Sequence, residues 1–450
     1  MLGKIVELSV QRRGLVLVGW AAILAVALAS ISSLSVDAVP DVTNVQVSVL
    51  TSAPGLSPLE VEQYLTFPIE TAMNGVPNVS EIRSISRTAV SAVTVVFKDG
   101  TDPWFARQLA SERLKLAESD IPPGYGRPEL GPVSTGLGEI YEFYLVSKNH
   151  TPMELRTILD WVVAYKLRAV PGVIEVNGMG GEAKQYQVVI EPKRLAAYRL
   201  SLGQIHDILE RNNAAVGGGY IEKNGESFVI RGAAQFRGVE DIENTVVTSD
   251  HDGTPVLLKH LGRVQIGPAL RFGAVTKHGE GEIVAGTVMM LTGANSRDVV
   301  HAVKRRLAEI QAELPAGIEI RSYYDRAEFI GRMLKTVFVN LAEGAGLVVV
   351  VLFLTLGNIR GALIAALAIP LAMGIAVIGM VRLHVTANLM SLGAIDFGLL
   401  VDGAIVMLEA ALVQLAARRP VDRLDTATVI AEAMRKVARS EEHTSELQSL

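Results

Sequence analysis

The sequence VPNVSEI at residues 76–82 decides the fold of the water-exposed part of this chain, because it returns as VPGVIEV at residues 170–176. Each copy follows an amphipathic helical pattern, residues 56–73 in the first case and 151–169 in the second. Each copy then leads into a strand pattern. A helix–turn–strand piece used twice is the simplest explanation. Chance similarity between two short pieces is the alternative.

A second pair of similar segments extends the repeat. The helical pattern at 103–120 ends in IPPG, and the helical pattern at 296–313 ends in LPAG. Two βαββαβ units explain both pairs if the second unit is split by an insertion of residues 182–266. Inside that insertion, Asn224-Gly225 separates two strand patterns and predicts a tight β-hairpin.

The rest of the chain has the composition of a multi-pass membrane protein. Apolar residues make up 49% of the 450 residues and charged residues 20%, and the mean hydropathy is +0.33. Four apolar runs are each long enough to cross a bilayer: 14–34, 336–356, 361–381 and 389–415.

Basic residues around the first run orient the predicted helices. Lys4, Arg12 and Arg13 precede it, which places the N-terminus in the cytoplasm by the positive-inside rule. Residues 36–332 then lie on the opposite side of the membrane. A cleaved signal peptide is the competing interpretation of the first run, but the three further runs favour a membrane helix.

Three acidic residues interrupt the fourth run: Asp396, Asp402 and Glu409. An ionised carboxylate in mid-bilayer costs on the order of 2.5–3.5 kcal/mol, so three in one helix need partners or a function. Asp402 and Glu409 are seven residues apart and share a helical face, whereas Asp396 points about 240° away from Asp402. Buried carboxylates of this kind carry protons. Asp396 could instead cap or pack the helix, and Glu409 could be solvated near the cytoplasmic interface.

Several classes of function are disfavoured. The net charge of −5 gives no indication of nucleic-acid binding, and the absence of cysteine excludes disulfides and thiolate metal sites. The eight histidines show neither HxxH nor HxH spacing. Neither a nucleophile–base pair nor a phosphate-binding loop is present in the water-exposed part, so we do not expect an enzyme.

Ordered motifs along the chain resemble the heavy-metal branch of the resistance–nodulation–division (RND) transporters. In the water-exposed part they are the stretches at 83–102 and 130–141. In the membrane part they are LGNIR at 356–360, NLMSLGA at 388–394 and the DFG…VDG pattern that contains Asp396 and Asp402. Matches in one order over residues 1 to about 438 are far more specific than any single motif.

This resemblance implies an α+β membrane protein of the bacterial inner membrane, with a transmembrane helix bundle and two periplasmic ferredoxin-like βαββαβ porter subdomains. It implies the following segments: 1–35, the cytoplasmic N-terminus and first transmembrane helix; 36–148, the first porter subdomain; 149–181 and 267–332, the halves of the second; 182–266, a docking subdomain; 333–416, transmembrane helices 2–4; and 417–438, a cytoplasmic segment. It also implies a homotrimer that joins a periplasmic adaptor (membrane fusion protein) and an outer-membrane channel.

The activity implied by the resemblance is proton-driven export of metal cations, without a resident cofactor. Asp402 matches the essential proton-relay aspartate, and Asp396 and Glu409 match accessory acids, although Ala410 replaces the asparagine usual after Glu409. The DFG…DG form resembles the group that exports divalent zinc, cobalt, cadmium or nickel. Glu139 is a candidate periplasmic metal ligand because carboxylates suit divalent cations. A surface acid at a strand edge is the alternative for this residue.

Other functions stay open at this stage. A copper or silver exporter of the same branch would share the motifs. An RND exporter of organic amphiphiles would need an aromatic cleft, against which the aromatic content of 5% weighs mildly. A non-transporting RND-like receptor would not need Asp402 and Glu409 on one helical face.

The last residues, 439–450, do not fit the pattern of the family, which would continue into a fifth span. Their sequence, RSEEHTSELQSL, looks largely like the translation of a sequencing adapter. We therefore expect these residues to be an artefact and the natural gene to continue beyond them.

Overall fold

The computed structural model describes residues 2–31, 33–34, 36–37, 41–233, 235–249, 253–271, 273–279, 281–356, 359–383, 385–388, 390–391, 397–417 and 426–448. Its helices are α1 (Leu2–Gln11), α2 (Arg13–Ile31), α3 (58–73), α4 (Pro103–Asp120), α5 (152–168), α6 (Pro192–Ala197), α7 (Leu202–Asn212), α8 (Val239–Glu243), α9 (Leu258–Leu261), α10 (Ser296–Glu313), α11 (Arg326–Leu356), α12 (Ile359–Ala366), α13 (Ala368–Arg382), α14 (Phe397–Ala416) and α15 (Thr426–Gln448). Helices α3 and α5 each contain one π-helical turn, Glu62–Thr66 and Leu159–Val163 respectively.

Strands fill the region between α2 and α11. They are β1 (Gln46–Ser52), β2 (Val79–Arg87), β3 (Val90–Phe97), β4 (Pro128–Leu130), β5 (Glu139–Ser147), β6 (Val173–Met179), β7 (Lys184–Ile190), β8 (Ala215–Lys223), β9 (Glu226–Ala233), β10 (Val246–Ser249), β11 (Pro255–Leu257), β12 (Gly262–Pro268), β13 (Val284–Met290) and β14 (Ile318–Asp325).

Two four-stranded antiparallel sheets have the same topology. The first has the order β2-β3-β1-β4 and the second β14-β5-β13-β6. In the chain order of each βαββαβ unit, the first and third strands are central (β1 and β3, β5 and β13). The second and fourth strands form the edges (β2 and β4, β6 and β14). Helices α3 and α4 pack on one face of the first sheet, and α5 and α10 on one face of the second. The opposite face of each sheet is left without these helices.

The first helix of each βαββαβ unit, α3 and α5, begins with a capping box. The side chain of Ser57 accepts a hydrogen bond from the backbone N–H of Glu60, whose carboxylate accepts one from the backbone N–H of Ser57. Thr151 and Glu154 form the same reciprocal pair. Such capping boxes satisfy backbone donors that a helix start leaves unpaired. These hydrogen bonds lower the pKa of both glutamates.

The segment between β6 and β13 forms a separate small unit. Strand β7 pairs with β12 in antiparallel register, and β10 pairs with β11. Leu195, Ile205, Leu258 and Leu261 form its core with neighbouring apolar side chains. The predicted hairpin is confirmed as β8 and β9, joined at Asn224-Gly225. Both turn residues have positive φ, 55° and 78°, as a type I′ turn requires.

Three described helices are long and apolar enough to cross a membrane: Arg13–Ile31, Arg326–Val351 and Leu363–Arg382. They match the first three predicted runs, except that α11 begins ten residues before the apolar run at 336. In α14, Gly403–Ala416 is a shorter apolar helix. Pro370 explains the break between α12 and α13, because a proline ring clashes with the carbonyl four residues earlier, which belongs to Ala366.

Candidate functional site

Helix α14 carries two of the three acids that the sequence singled out. Ile405 and Leu408 pack against Ala365 and Ile369, so this side of α14 faces α12 and α13. Glu409 is exposed. Asp396 and the side chain of Asp402 lie outside the described residues.

Val406 and Glu409 lie on the exposed side of α14, and Val406 is 44% exposed. At about 100° per residue, positions 402, 406 and 409 fall within roughly 60° of one another. None of α11, α12 or α13 covers Val406 or Glu409 fully, so a further element could approach this face.

A buried ion pair joins the end of the first membrane helix to the start of the second. The guanidinium of Arg326 is 4% exposed, and its Nη2 lies 2.7 Å from Asp37 Oδ1. Its Nε lies 3.1 Å from the same oxygen, and its Nη1 donates to the carbonyl of Leu137, in the loop between the two sheets. Arg326 therefore ties two membrane helices to the sheet region. The backbone N–H of Asp37 also donates to the carbonyl of Ala387, beyond α13.

A second ion pair at the same junction involves Asp325, the residue before Arg326. Lys304 Nζ on α10 lies 2.8 Å from Asp325 Oδ2, at the end of β14. Burial raises the pKa of Asp325, but hydrogen bonds from Lys304 and the backbone N–H of Glu328 outweigh it and leave the pKa below its usual value. The same hydrogen bond raises the pKa of Lys304. Asp325 thus ties the start of α11 to α10, and Arg326 ties it to the segment that follows α2.

The open face of the second sheet carries a row of potential cation ligands. In the pairing register, Met289 on the central strand β13 lies opposite Glu139 of β5 and Glu175 of β6, and each of the two registers shifts by a residue next to Met289. Ile140, the neighbour of Glu139, lies in the core under the helices. Directly paired residues point to the same face of a sheet. Val288 and Val176, one residue away, point into the helix-covered core, so the row faces the other way. Asn177 Nδ2 donates to the sulfur of Met289 at 3.3 Å.

Glu139 itself is exposed, at the start of a central strand rather than at a sheet edge. Negative charge accumulates next to it. Burial raises the pKa of Tyr323 well above its usual value, and the hydrogen bond to Glu142 and the charges of Glu142 and Glu139 add to this effect. A cation approaching this face would therefore meet several carboxylates.

In the described part of the chain, we find no group of three or more histidine, cysteine, aspartate or glutamate side chains able to hold a metal ion. Glu139 and Glu175 supply two carboxylates and Met289 a thioether. Sequence reasoning missed Glu175 and Met289, since only strand pairing places them beside Glu139. Glu175 nevertheless belongs to the repeated VPGVIEV stretch, where its alternation with Val176 indicates the outward face.

Comparison with known proteins identifies the family. The AcrB/AcrD/AcrF family model matches residues 5–441. Protein HelA of Legionella pneumophila is 48% identical over 423 residues, which are 92% of this chain and 40% of HelA. The cobalt-zinc-cadmium resistance protein CzcA of Cupriavidus metallidurans is 47% identical over 425 residues, again 92% of this chain and 40% of the relative.

A crystal structure of a heavy metal efflux pump superimposes with a TM-score of 0.86 at 34% identity, covering 97% of this chain and 42% of that one. The chain thus spans about two fifths of the length of the proteins it matches. Its mixed helix and sheet content and its apolar helices are those of this transporter fold. The chain therefore belongs to the AcrB/AcrD/AcrF family of RND transporters and, as its motifs predicted, to the heavy-metal efflux branch.

Proposed function

We propose that the protein exports divalent metal cations (zinc, cobalt, cadmium or nickel) in exchange for protons. The observation that carries this proposal is the pairing of two features in one chain. Carboxylates occur in an apolar membrane helix, and carboxylates flank Met289 on an open sheet face outside it. The similarity to a protein named for cobalt, zinc and cadmium resistance supports the choice of ions.

Asp402 is the proposed proton carrier, with Glu409 and Asp396 as accessory acids. Desolvation raises the pKa of a carboxyl group, and an approaching cationic side chain lowers it, so alternation between two surroundings loads and releases a proton. The exposed Val406 and Glu409 leave this side of α14 open to such a partner.

Glu139 and Glu175 are the proposed ligands of the transported cation, with Met289 between them. Carboxylate oxygens favour hard and borderline divalent ions, whereas a thioether favours soft monovalent ions. Two carboxylates outnumber one thioether, which supports divalent cations. Met289 is also the observation that keeps copper or silver as a second candidate.

The junction of Arg326, Asp37, Lys304 and Asp325 is the proposed mechanical link between the two sites. Helix α11 begins there, directly after β14, which is a neighbour of the strand that carries Glu139. A tilt of α11 that follows proton binding would therefore move the second sheet. The buried pair of Arg326 and Asp37 transmits such a tilt, because separating the two charges costs more than moving them together.

The proposal extends to the remaining architecture, with membership of the family as its support. The two βαββαβ sheets act as porter subdomains in the periplasm of an inner-membrane protein, and residues 182–266 act as a docking subdomain whose β8–β9 hairpin reaches a neighbouring protomer. The assembly is a homotrimer that works with a periplasmic adaptor and an outer-membrane channel. Exposed apolar side chains on the hairpin, including Tyr220, Phe228 and Val229, support a protein contact there.

The test is metal resistance in a metal-sensitive bacterial strain that expresses the full-length gene with its neighbouring adaptor and channel genes. Wild type, Asp402→Asn and Glu343→Gln are compared for growth on zinc, cobalt, cadmium, nickel, copper and silver. Glu343→Gln is the matched control, because Glu343 is another acid in an apolar helix. We expect resistance to divalent ions that Asp402→Asn abolishes and Glu343→Gln preserves.

The ligands are tested in the same strain with Glu139→Gln and Glu175→Gln, and Glu129→Gln serves as an exposed strand control on the first sheet. Each ligand variant should lower resistance to the exported ion while the protein level in the membrane stays constant. Resistance confined to copper or silver would replace the divalent assignment. Resistance to none of the six metals would favour an amphiphile exporter or a receptor.

A further inference from the structure

An apolar groove of about 420 Å³ runs between α2, α11 and α13. Its walls include Ile31 on α2, Leu334 on α11 and Val377 on α13, and it extends to Leu34 and Ala387, which lie beyond the ends of α2 and α13. Its volume is within the range of small-molecule sites, roughly 300–1,000 Å³. At the bottom of the groove α13 packs closely on α2 at Gly374 and Ala27. A Cβ added to Gly374 would lie 3.1 Å from the Cβ of Ala27.

Among the described residues that line this groove, Arg297 is the one with a charge. It comes from the first turn of α10, in the sheet region, and so stands at the end where the membrane helices leave the bilayer. Its ion pair with Asp298 is long, with 3.9 Å between Nε and Oδ1, and its side chain is 37% exposed. The guanidinium therefore keeps donors available for a second anion.

The apolar groove with Arg297 at one end indicates which kind of molecule it binds. A helix seated in this groove would desolvate Arg297, which is costly unless that helix supplies an acid at the same place. A free anion would pair with Arg297 but would leave the apolar groove unfilled. A diacyl phospholipid with a net negative headgroup satisfies both parts, because an acyl chain fills the groove and the headgroup phosphate pairs with Arg297.

We infer that this groove is a binding site for one anionic phospholipid, held by Arg297 through its headgroup. The site is independent of the exported ion and of Asp402. One arginine near a membrane surface favours an anionic over a neutral lipid by about fivefold. Asp298, next in the chain, repels the headgroup and keeps the preference near or below that value.

Tryptophan quenching measures this preference. Phe338, which lines the groove, is replaced by tryptophan in a full-length protein whose other tryptophans are phenylalanine. The protein is reconstituted in phosphatidylcholine vesicles that contain dibrominated phosphatidylglycerol or dibrominated phosphatidylcholine. We expect phosphatidylglycerol to occupy the groove about fivefold more favourably than phosphatidylcholine.

Variants at Arg297 decide whether the headgroup is recognised. Arg297→Gln should reduce the preference to about one, and Arg297→Lys should retain most of it. Arg332→Gln is the matched control, because Arg332 is 73% exposed near the start of α11 and does not line the groove. It should leave the preference unchanged.

Three results would overturn the inference. Equal quenching by both lipids would mean that no headgroup is selected. Absence of quenching by either lipid would mean that protein covers the groove. Loss of quenching by phosphatidylglycerol when inorganic phosphate is added would assign Arg297 to a free anion. Since the readout is lipid occupancy, it is unaffected by failure of metal export.

Discussion

Replacing Arg326 by methionine should destabilise the junction between the membrane helices and the sheets more than any exposed substitution nearby. The side chain is 4% exposed, makes two contacts with Asp37 Oδ1 at 2.7 and 3.1 Å, and donates to the carbonyl of Leu137. Methionine keeps most of the aliphatic volume but none of the donors. The carboxylate of Asp37, with a side chain only 20% exposed, then loses this guanidinium.

The magnitude follows from burial. Removing one partner of a buried pair costs about 3–5 kcal/mol, because the remaining charge stays desolvated. Asp37 retains some access to water, so we expect about 3 kcal/mol for Arg326→Met. Replacing both partners, as Asp37→Leu with Arg326→Met, also removes the largely buried carboxylate and should cost about 1–2 kcal/mol less than the sum of the single changes.

The assay is unfolding by sodium dodecyl sulfate of the protein in mild detergent micelles, followed by intrinsic tryptophan fluorescence. Arg332→Met is the control, because its pair with Glu328 is 3.9 Å long and both side chains are largely exposed. That pair should contribute less than about 1 kcal/mol. Equal costs for Arg326→Met and Arg332→Met, or strict additivity in the double variant, would refute a buried, coupled pair.

Three further predictions concern the sheets. Unfolding should require less denaturant as the pH falls below about 4, because Asp325 loses its paired charge as the pH passes its depressed pKa in the folded state. Asp325→Asn should remove this acid dependence. If the acid dependence persists in that variant, other acids cause it. Gly286→Ala should destabilise the second sheet by about 1–3 kcal/mol, because the new Cβ would lie 2.6 Å from Phe143 Cζ. Adding Phe143→Leu should partly restore the midpoint denaturant concentration. If the midpoint does not recover, this contact is not the cause. Gly225→Val should disorder the β8–β9 turn, measured as faster proteolysis within the hairpin, because valine resists the φ of 78° found there, whereas Gly225→Asn should be tolerated.

The acids of the fourth span were visible in the sequence for a physical reason. A carboxylate in an otherwise apolar helix is costly, so Asp402 and Glu409 are conspicuous without knowledge of their surroundings. Glu139 is different, because an acid at the start of a strand is an ordinary surface feature. Strand pairing through β13 is what sets it beside Met289 and Glu175. The pair of Arg326 and Asp37 could not be found by pattern at all, since the two residues are 289 positions apart.

Local features of this protein were determined by the sequence itself. Capping boxes, the Asn224-Gly225 turn, the break before Pro370 and the long apolar helices each depend on a few neighbouring residues, whose backbone preferences and hydropathy act at short range. The tertiary structure decided what lies beside what: the strand order in the two sheets, the row through Met289, the junction at Arg326 and the groove that ends at Arg297. These arrangements depend on packing and pairing between distant segments. The hydropathy pattern of one segment does not predict which other segment it contacts.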